Sequence, residues 1–183
     1  MGRKIVSGLL VSLDGVVDAP ERWRFPYGDE ETGAAPGLVD GEAEAVLPGR
    51  VTYEAFDAVW PYPNGLSGYV RRRFQRRPPT VAGASDTLGQ AVRSGAAVVD
   101  GDVAAALRAL KRGPGRNIDL SGSVTLTRSL LEAGLVDELR LLVHPIVVGS
   151  GQRLFPDGTG RVPLRLTRSA TLSTGVVDLT YAC

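Results

Sequence analysis

Two short segments combine glycine with hydroxyl side chains at places where a strand should give way to a helix. They are Val46-Leu47-Pro48-Gly49-Arg50-Val51-Thr52-Tyr53-Glu54 and Leu120-Ser121-Gly122-Ser123-Val124-Thr125-Leu126. The first turn of a helix leaves backbone N–H groups without intrahelical acceptors, and the helix dipole makes that end positive. Such an end is a natural seat for a phosphate. In an open α/β sheet the ligand crevice runs along the carboxyl ends of the strands, where both segments fall. Two of them in one chain can hold the two ends of a pyrophosphate-linked cofactor, with Arg50 available for an extra phosphate. The same residues also build plain tight turns, and neither segment is a G-x-G-x-x-G or Walker fingerprint. Pattern alone stops at a nucleotide-binding α/β domain.

Positioning these junctions requires an alternation of strands and helices. The spacing predicts a strand over 3–12 closed by Asp14-Gly15, then a long polar connection over 17–36 holding Trp23, Phe25, Tyr27 and the acids Asp29, Glu30 and Glu31. A connection of that length in a compact domain is usually a working loop, and its aromatics oppose disorder. A short helix is expected over 37–45, a strand over 45–47, and helices over 50–58 and 66–77. Strands are expected at 80–82 and 96–99, then a helix capped by Asp100 or Asp102 and running to about Lys111. A strand over 117–120 leads into a helix over 124–133 with Gly134 as its αL cap. One long strand over 137–148 and two antiparallel strands over 163–171 and 175–182 complete the chain. This order implies one α/β domain over 1–183 with a mostly parallel central sheet and an antiparallel C-terminal edge.

Composition removes several classes of function. With 183 residues, 43% of them hydrophobic, the chain can build a core without staples. The single cysteine, Cys183, permits neither an internal disulfide nor a Cys-based zinc site. No apolar run is long enough to span a bilayer and no secretory signal opens the chain, so a cytoplasmic location is expected. A net charge of +1 gives no support to nucleic-acid binding. The Arg71-Arg72-Arg73 and Arg76-Arg77 cluster reads better as a solvated helix face. His144, the only histidine, sits in an apolar strand before Pro145 and is expected to be structural or interfacial. Gly149-Ser150-Gly151 resembles a phosphate loop but lacks the helix that would make it one.

An ordered series of motifs adds to this. Ser12-Leu13-Asp14-Gly15, Gly49 through Glu54, Ser121-Gly122-Ser123, Gly134-Leu135-Val136-Asp137-Glu138-Leu139, His144-Pro145, Gly149-Ser150-Gly151 and Leu154-Phe155 follow one another along nearly the whole chain. Together they resemble the dihydrofolate-reductase-like family built on the C-terminal domain of bacterial bifunctional deaminase-reductases of riboflavin biosynthesis. The resemblance implies the three-layer dihydrofolate reductase fold, NADPH as cofactor, frequent homodimerisation, and a small-molecule substrate. That substrate would be a pterin- or pyrimidine-like heterocycle, akin to the one taken by 5-amino-6-(5-phosphoribosylamino)uracil reductase.

Carried over by motif, Gly49, Arg50, Val51 and Thr52 would grip the pyrophosphate and the 2′-phosphate. Gly122, Ser123, Val124 and Thr125 would hold the other side. Ser85, in Ala84-Ser85-Asp86, falls where the family often shows Ser-Arg-Thr, and Asp86 weakens the case for a 2′-phosphate there. Asp14, Gly15 and Val16 would border the nicotinamide, with Trp23, Phe25 and Asp29 flanking the substrate. Asp14, partly desolvated, would have a raised pKa and act as the proton donor, Asp29 and Glu30 being alternatives. The 183 residues carry no deaminase zinc signature, and Ser121 stands where riboflavin-pathway reductases usually carry Glu, so a stand-alone member of the family is expected. Two other readings stay open: a non-catalytic small-molecule-binding dimer, and a reductase using flavin or deazaflavin.

Overall fold

The computed structural model describes residues 2–35, 43–49, 52, 80–82, 97–99 and 101–183. Of the helix expected over 50–58 only Thr52 is described, and the one expected over 66–77 lies outside these residues, as do Arg50, Val51, Ser85 and the arginine cluster. Eight strands are described: β1 Ile5–Ser12, β2 Ala43–Val46, β3 Thr80–Ala82, β4 Ala97–Val99, β5 Asn117–Ser121, β6 Glu138–His144, β7 Arg165–Thr171 and β8 Val177–Ala182. Six form one sheet in the order β2-β5-β1-β6-β8-β7, while β3 and β4 make a separate parallel ladder. The first four run parallel, and β8 and β7 are antiparallel to their neighbours. The mostly parallel sheet with an antiparallel C-terminal edge is therefore as expected.

Alternation along β1 gives the sheet two distinct faces. Ile5, Leu9 and Val11 point to the side of helices α2 (Val103–Arg112) and α3 (Val124–Glu132), packing with Leu107, Leu130 and Leu131. The Ser7 and Thr127 hydroxyls, 3.0 Å apart and buried, tie β1 to α3 on that face. On the other face Leu10 and Leu142 pack with Ala35, Tyr27 and Val176, under the 17–35 connection. That connection is ordered as two 3-10 turns, Pro20–Arg22 and Phe25–Tyr27, and a short helix α1, Glu30–Ala34.

The helices start and stop where local chemistry requires. Asp102 caps α2 by accepting from the Ala105 N–H at 2.9 Å. Gly134, at φ 62°, ends α3 and lets the Leu135 N–H reach the Leu130 carbonyl at 2.8 Å.

Two sequence expectations are corrected. Residues 43–46 are strand, where a helix was expected to reach Ala45. Ala43 and Val46 are fully buried beside β5, and the Leu47 N–H continues the ladder to the Asp119 carbonyl at 2.7 Å. The strand expected over 137–148 ends at His144. Pro145 has no N–H to give the ladder, and the amides of Val148 and Gly149 are taken by the Asp14 carboxylate.

At the opposite end of the sheet Asp137 gathers three segments. One carboxylate oxygen accepts from the Ile5 N–H at 2.8 Å and from Lys111 Nζ at 2.6 Å, and Lys111 also reaches the Leu135 carbonyl. Asp137→Ala strands a part-buried ammonium and a strand-end amide. It is expected to cost about 1–3 kcal/mol, read as a lower midpoint in urea or heat, whereas a Lys111→Met, Asp137→Leu double variant should recover part of the loss.

Candidate functional site

The two glycine–hydroxyl junctions meet at the carboxyl ends of β2 and β5. A Cβ built on Gly49 would overlap the Ser123 side chain, and one on Gly122 would lie 2.9 Å from the Thr52 methyl and 3.3 Å from its hydroxyl. Segments far apart in sequence are thus in van der Waals contact, and both contacts need glycine. Gly122 and Ser123 both have positive φ, 69° and 59°. For serine this left-handed conformation is uncommon and costs energy. It is held because Ser123 caps α3, its hydroxyl 3.4 Å from the Leu126 N–H and its carbonyl accepting from Thr127 at 2.9 Å. The amides of Val124 and Thr125 fall in the part of the first turn that helix geometry leaves without intrahelical acceptors.

Thr125 is exposed, and Val124 packs partly against the core. Among the described residues the junctions present N–H and O–H donors at the positive end of a nine-residue helix. That donor set suits an anion. Arg50, Val51 and Ser85 would belong to the same site by sequence but lie outside the described residues.

The end of β1 forms a second structure, a clamp around Asp14. Ser12 Oγ donates to one carboxylate oxygen at 2.6 Å, the Val148 N–H donates to the same oxygen at 3.0 Å, and the Gly149 N–H donates to the other at 2.9 Å. Arg153 donates to the Asp14 carbonyl at 2.8 Å. The strip continues through Val17 N–H to Gln152 and Leu154 N–H to Gly15, with Val16 and Arg153 bridged antiparallel. The expected rise in the Asp14 pKa is corrected. The Ser12 hydroxyl first, then the Val148 and Gly149 amides, stabilise the charged form and pull its pKa down to about 2. A carboxylate so held keeps no proton near neutral pH.

The clamp also settles the neighbours. Val16 is buried against Gly151, and its amide donates to Ser12 Oγ, so its side chain is not free to meet a ligand. Gly15, at φ 87°, makes the turn and lines a cavity. Because Gly149 N–H is committed to Asp14, the Gly149-Ser150-Gly151 segment is a clamp partner, in keeping with its lack of a following helix.

The aromatic loop behaves differently from the expectation that it flanks a substrate. Trp23 is buried, donates its indole N–H to the Asp18 carbonyl at 3.0 Å, and packs edge-on against His144 at 5.2 Å. Tyr27 approaches the same imidazole at 5.9 Å. His144 is itself buried, bonded through Nδ1 to the Leu142 carbonyl, and burial lowers its pKa. It is a core histidine, as expected. Asp29 caps α1 through the Thr32 N–H at 2.7 Å and accepts from Ser173 Oγ at 2.9 Å, bonds that lower its pKa. Phe25 is exposed, its ring under the Arg24 guanidinium, and Asp29 is exposed as well, so Trp23 alone of the three is withdrawn into the core. The residues that sequence reasoning missed are Ser12 and Arg153. The Ser-x-Asp spacing was a local signal for the first, and nothing local marks the second.

A cavity of about 320 Å³ opens beside Asp14 and Gly15, on the helix-bearing face of the sheet. Its walls are Val11, Leu141, Val143, Leu179 and Tyr181, with Phe155 at the rim.

This sheet order and junction placement define the dihydrofolate reductase class of fold. An Enterococcus faecalis dihydrofolate reductase complexed with NADP(H) superposes with a TM-score of 0.57 at 15% identity, over 98% of this chain and 95% of that one. A pyrimidine reductase-like protein of Corynebacterium diphtheriae does so at 0.70 and 17% identity, over 98% and 91%. The profile of the RibD C-terminal domain matches residues 3–177, and the chain belongs to that family. Its relatives include two uncharacterised Bacillus subtilis proteins. YyaP is 26% identical over 98% of this chain and 94% of its own length, and YwjB is 31% identical over 91% and 90%. No helix among the described residues is long and apolar enough to cross a membrane.

Proposed function

We propose that this chain is an NADPH-dependent reductase acting on a C=N or C=O bond of a small heterocycle, of pterin or pyrimidine type. The observation that carries the reading is the contact between the two junctions, Gly49 on Ser123 and Thr52 on Gly122. It makes one cradle of N–H and O–H donors, with no carboxylate among its described residues, and that chemistry fits a dinucleotide's pyrophosphate. Membership of the RibD C-terminal domain family supports the same reading. When bound, the cofactor would supply hydride.

This chain's own residues would do the rest. Gly49, Arg50, Val51 and Thr52 hold one side of the pyrophosphate, with Arg50 and Ser85 toward the 2′-phosphate. Gly122, Ser123, Val124 and Thr125 hold the other. Asp14 is a positioning residue in this scheme. Its ionised carboxylate fixes the Gly15 turn where the reacting ring would lie, and the proton that accompanies hydride has another source.

Arg50→Ala is expected to weaken NADPH binding about tenfold or more and NADH binding by a smaller factor, since NADPH loses a charge-assisted contact to the 2′-phosphate in addition to the pyrophosphate contact that both nucleotides share. Isothermal titration of both nucleotides tests this, and absence of binding by the wild-type chain ends the proposal. A second reading, a non-catalytic binder, is favoured by one observation. Asp14, Asp29 and Glu31 are all held toward the ionised form by hydrogen bonds. NADPH oxidation in the presence of a panel of pterins and pyrimidines separates the two.

A further inference from the structure

The cavity of about 320 Å³ lies across β1 from the glycine–hydroxyl junctions. The junctions stand at β2 and β5, whereas the cavity is walled by Leu141 and Val143 of β6 and by Leu179 and Tyr181 of β8. Both of these strands have a neighbour on either side, yet all four side chains are only half-buried. Leu139, two residues earlier on the same face of β6, is fully buried. The cavity therefore takes an apolar wall out of the core and leaves it without packing partners.

The polar lining is gathered at one end and is mostly spent. Ser12 Oγ donates to Asp14 and accepts from the Val16 N–H. The Asp14 carboxylate already takes the three donors of its clamp. Arg153 is different. Its Nη1 donates to the Asp14 carbonyl at 2.8 Å, but Nη2 is 3.9 Å from the Asp14 carboxylate, beyond hydrogen-bond reach. The remaining N–H groups of this half-exposed guanidinium have no acceptor among the described residues. Tyr181 pairs with Leu139, at the far end of the walls from Asp14, so its hydroxyl is not part of this polar end.

We propose that this cavity binds a small apolar monocarboxylate, with its carboxylate on Arg153 and its chain along β6 and β8. Aliphatic walls with one fixed polar group are what orient a small ligand, and a guanidinium with spare donors selects a carboxylate over a neutral head. At about 30 Å³ for each water-sized atom the cavity holds roughly ten non-hydrogen atoms. From Val143 to the level of Tyr181 the wall runs four residues, roughly 13 Å of strand, which suits an extended acid of about eight to ten carbons. This site meets the proposed cofactor site only at the Asp14-Gly15 turn, and it does not depend on the reductase reading.

Octanoate is the probe, with octanamide as its uncharged counterpart. In titration calorimetry of the full chain without nucleotide, octanoate should bind about tenfold or more tightly than octanamide. Arg153→Gln keeps a donor for the Asp14 carbonyl but removes the charge, and should bring octanoate to the level of octanamide. Leu179→Trp fills the space and should weaken both probes roughly tenfold or more, with an unchanged circular dichroism spectrum. If that variant does not fold, Arg153→Gln alone decides. The proposal is overturned by a wild type that does not take up octanoate, including one whose copies associate over this face and exclude it. Equal affinity for acid and amide overturns it too, as does octanoate binding that Arg153→Gln leaves unchanged. NADPH titration of the same samples is a separate readout, so failure of this site and failure of the reductase reading are distinguishable.

Discussion

Gly122→Val should abolish tight binding of reduced dinucleotide while leaving a folded protein. At φ 69° a β-branched side chain is strained, and any Cβ there lies 2.9 Å from the Thr52 methyl. Left-handed strain costs about 1–2 kcal/mol, and displacement of Thr52 opens the cradle on its other side. A combined penalty of about 2 kcal/mol corresponds to roughly thirtyfold in affinity. The thermal midpoint should fall by several degrees, about 2–4 °C per kcal/mol for a chain of this size. Gly122→Ala should show the same pattern in weaker form, and Gly49→Ala should act from the opposite side through Ser123. Titration calorimetry beside a melting curve reads both quantities. A Gly122→Val protein that binds NADPH like wild type would remove the junction contact from the site.

Asp14→Asn is expected to loosen the clamp and to erase one step in the pH dependence of stability. The carboxylate accepts from the Ser12 hydroxyl and from the Val148 and Gly149 amides. An asparagine replaces one acceptor oxygen with a donor NH2 that must face another N–H. The loop over 145–155 should then open more readily to hydrogen exchange, and the midpoint at neutral pH should drop.

The sign of the pH effect follows from the folded pKa, about 2, lying below the ordinary 3.8. The unfolded chain binds the proton first as pH falls, so this contribution is complete above pH 4 and disappears between pH 4 and 2. Wild type should lose stability across that window by a step that Asp14→Asn lacks. Calorimetric midpoints collected from pH 5 down to pH 2 decide it, and parallel curves for the two proteins would mean that Asp14 is not held as described.

What was legible in the sequence is local. Asp102, one of the two caps offered, the Gly134 terminator and the β-rich opening run each act within a few residues, and each stands where the pattern put it. The parallel sheet followed from alternation of elements, which is also a short-range signal. The protonation state of Asp14 was hidden because two of its three donors come from residues 148 and 149, across the molecule. The same distant bonds end β6 early, since the amides that would extend the ladder are already committed. Trp23 was placed beside the substrate by the family resemblance, not by any local signal. It is buried because β6 presents His144, a neutral ring against which the indole packs. The junction contact was readable as two similar motifs, but that they touch required the sheet order placing β5 beside β2.

That order also fixes when the molecule can form. β1 lies at the centre of the sheet, and its two neighbours begin only at Asn117 and Glu138. Both of its ladders are therefore closed by chain made long after it leaves the ribosome, and contacts of such sequence separation are slow to assemble. Until synthesis has passed Ser121 neither edge of β1 can be satisfied, and until it has passed His144 only one can. The nascent chain carries that exposed segment through most of its production.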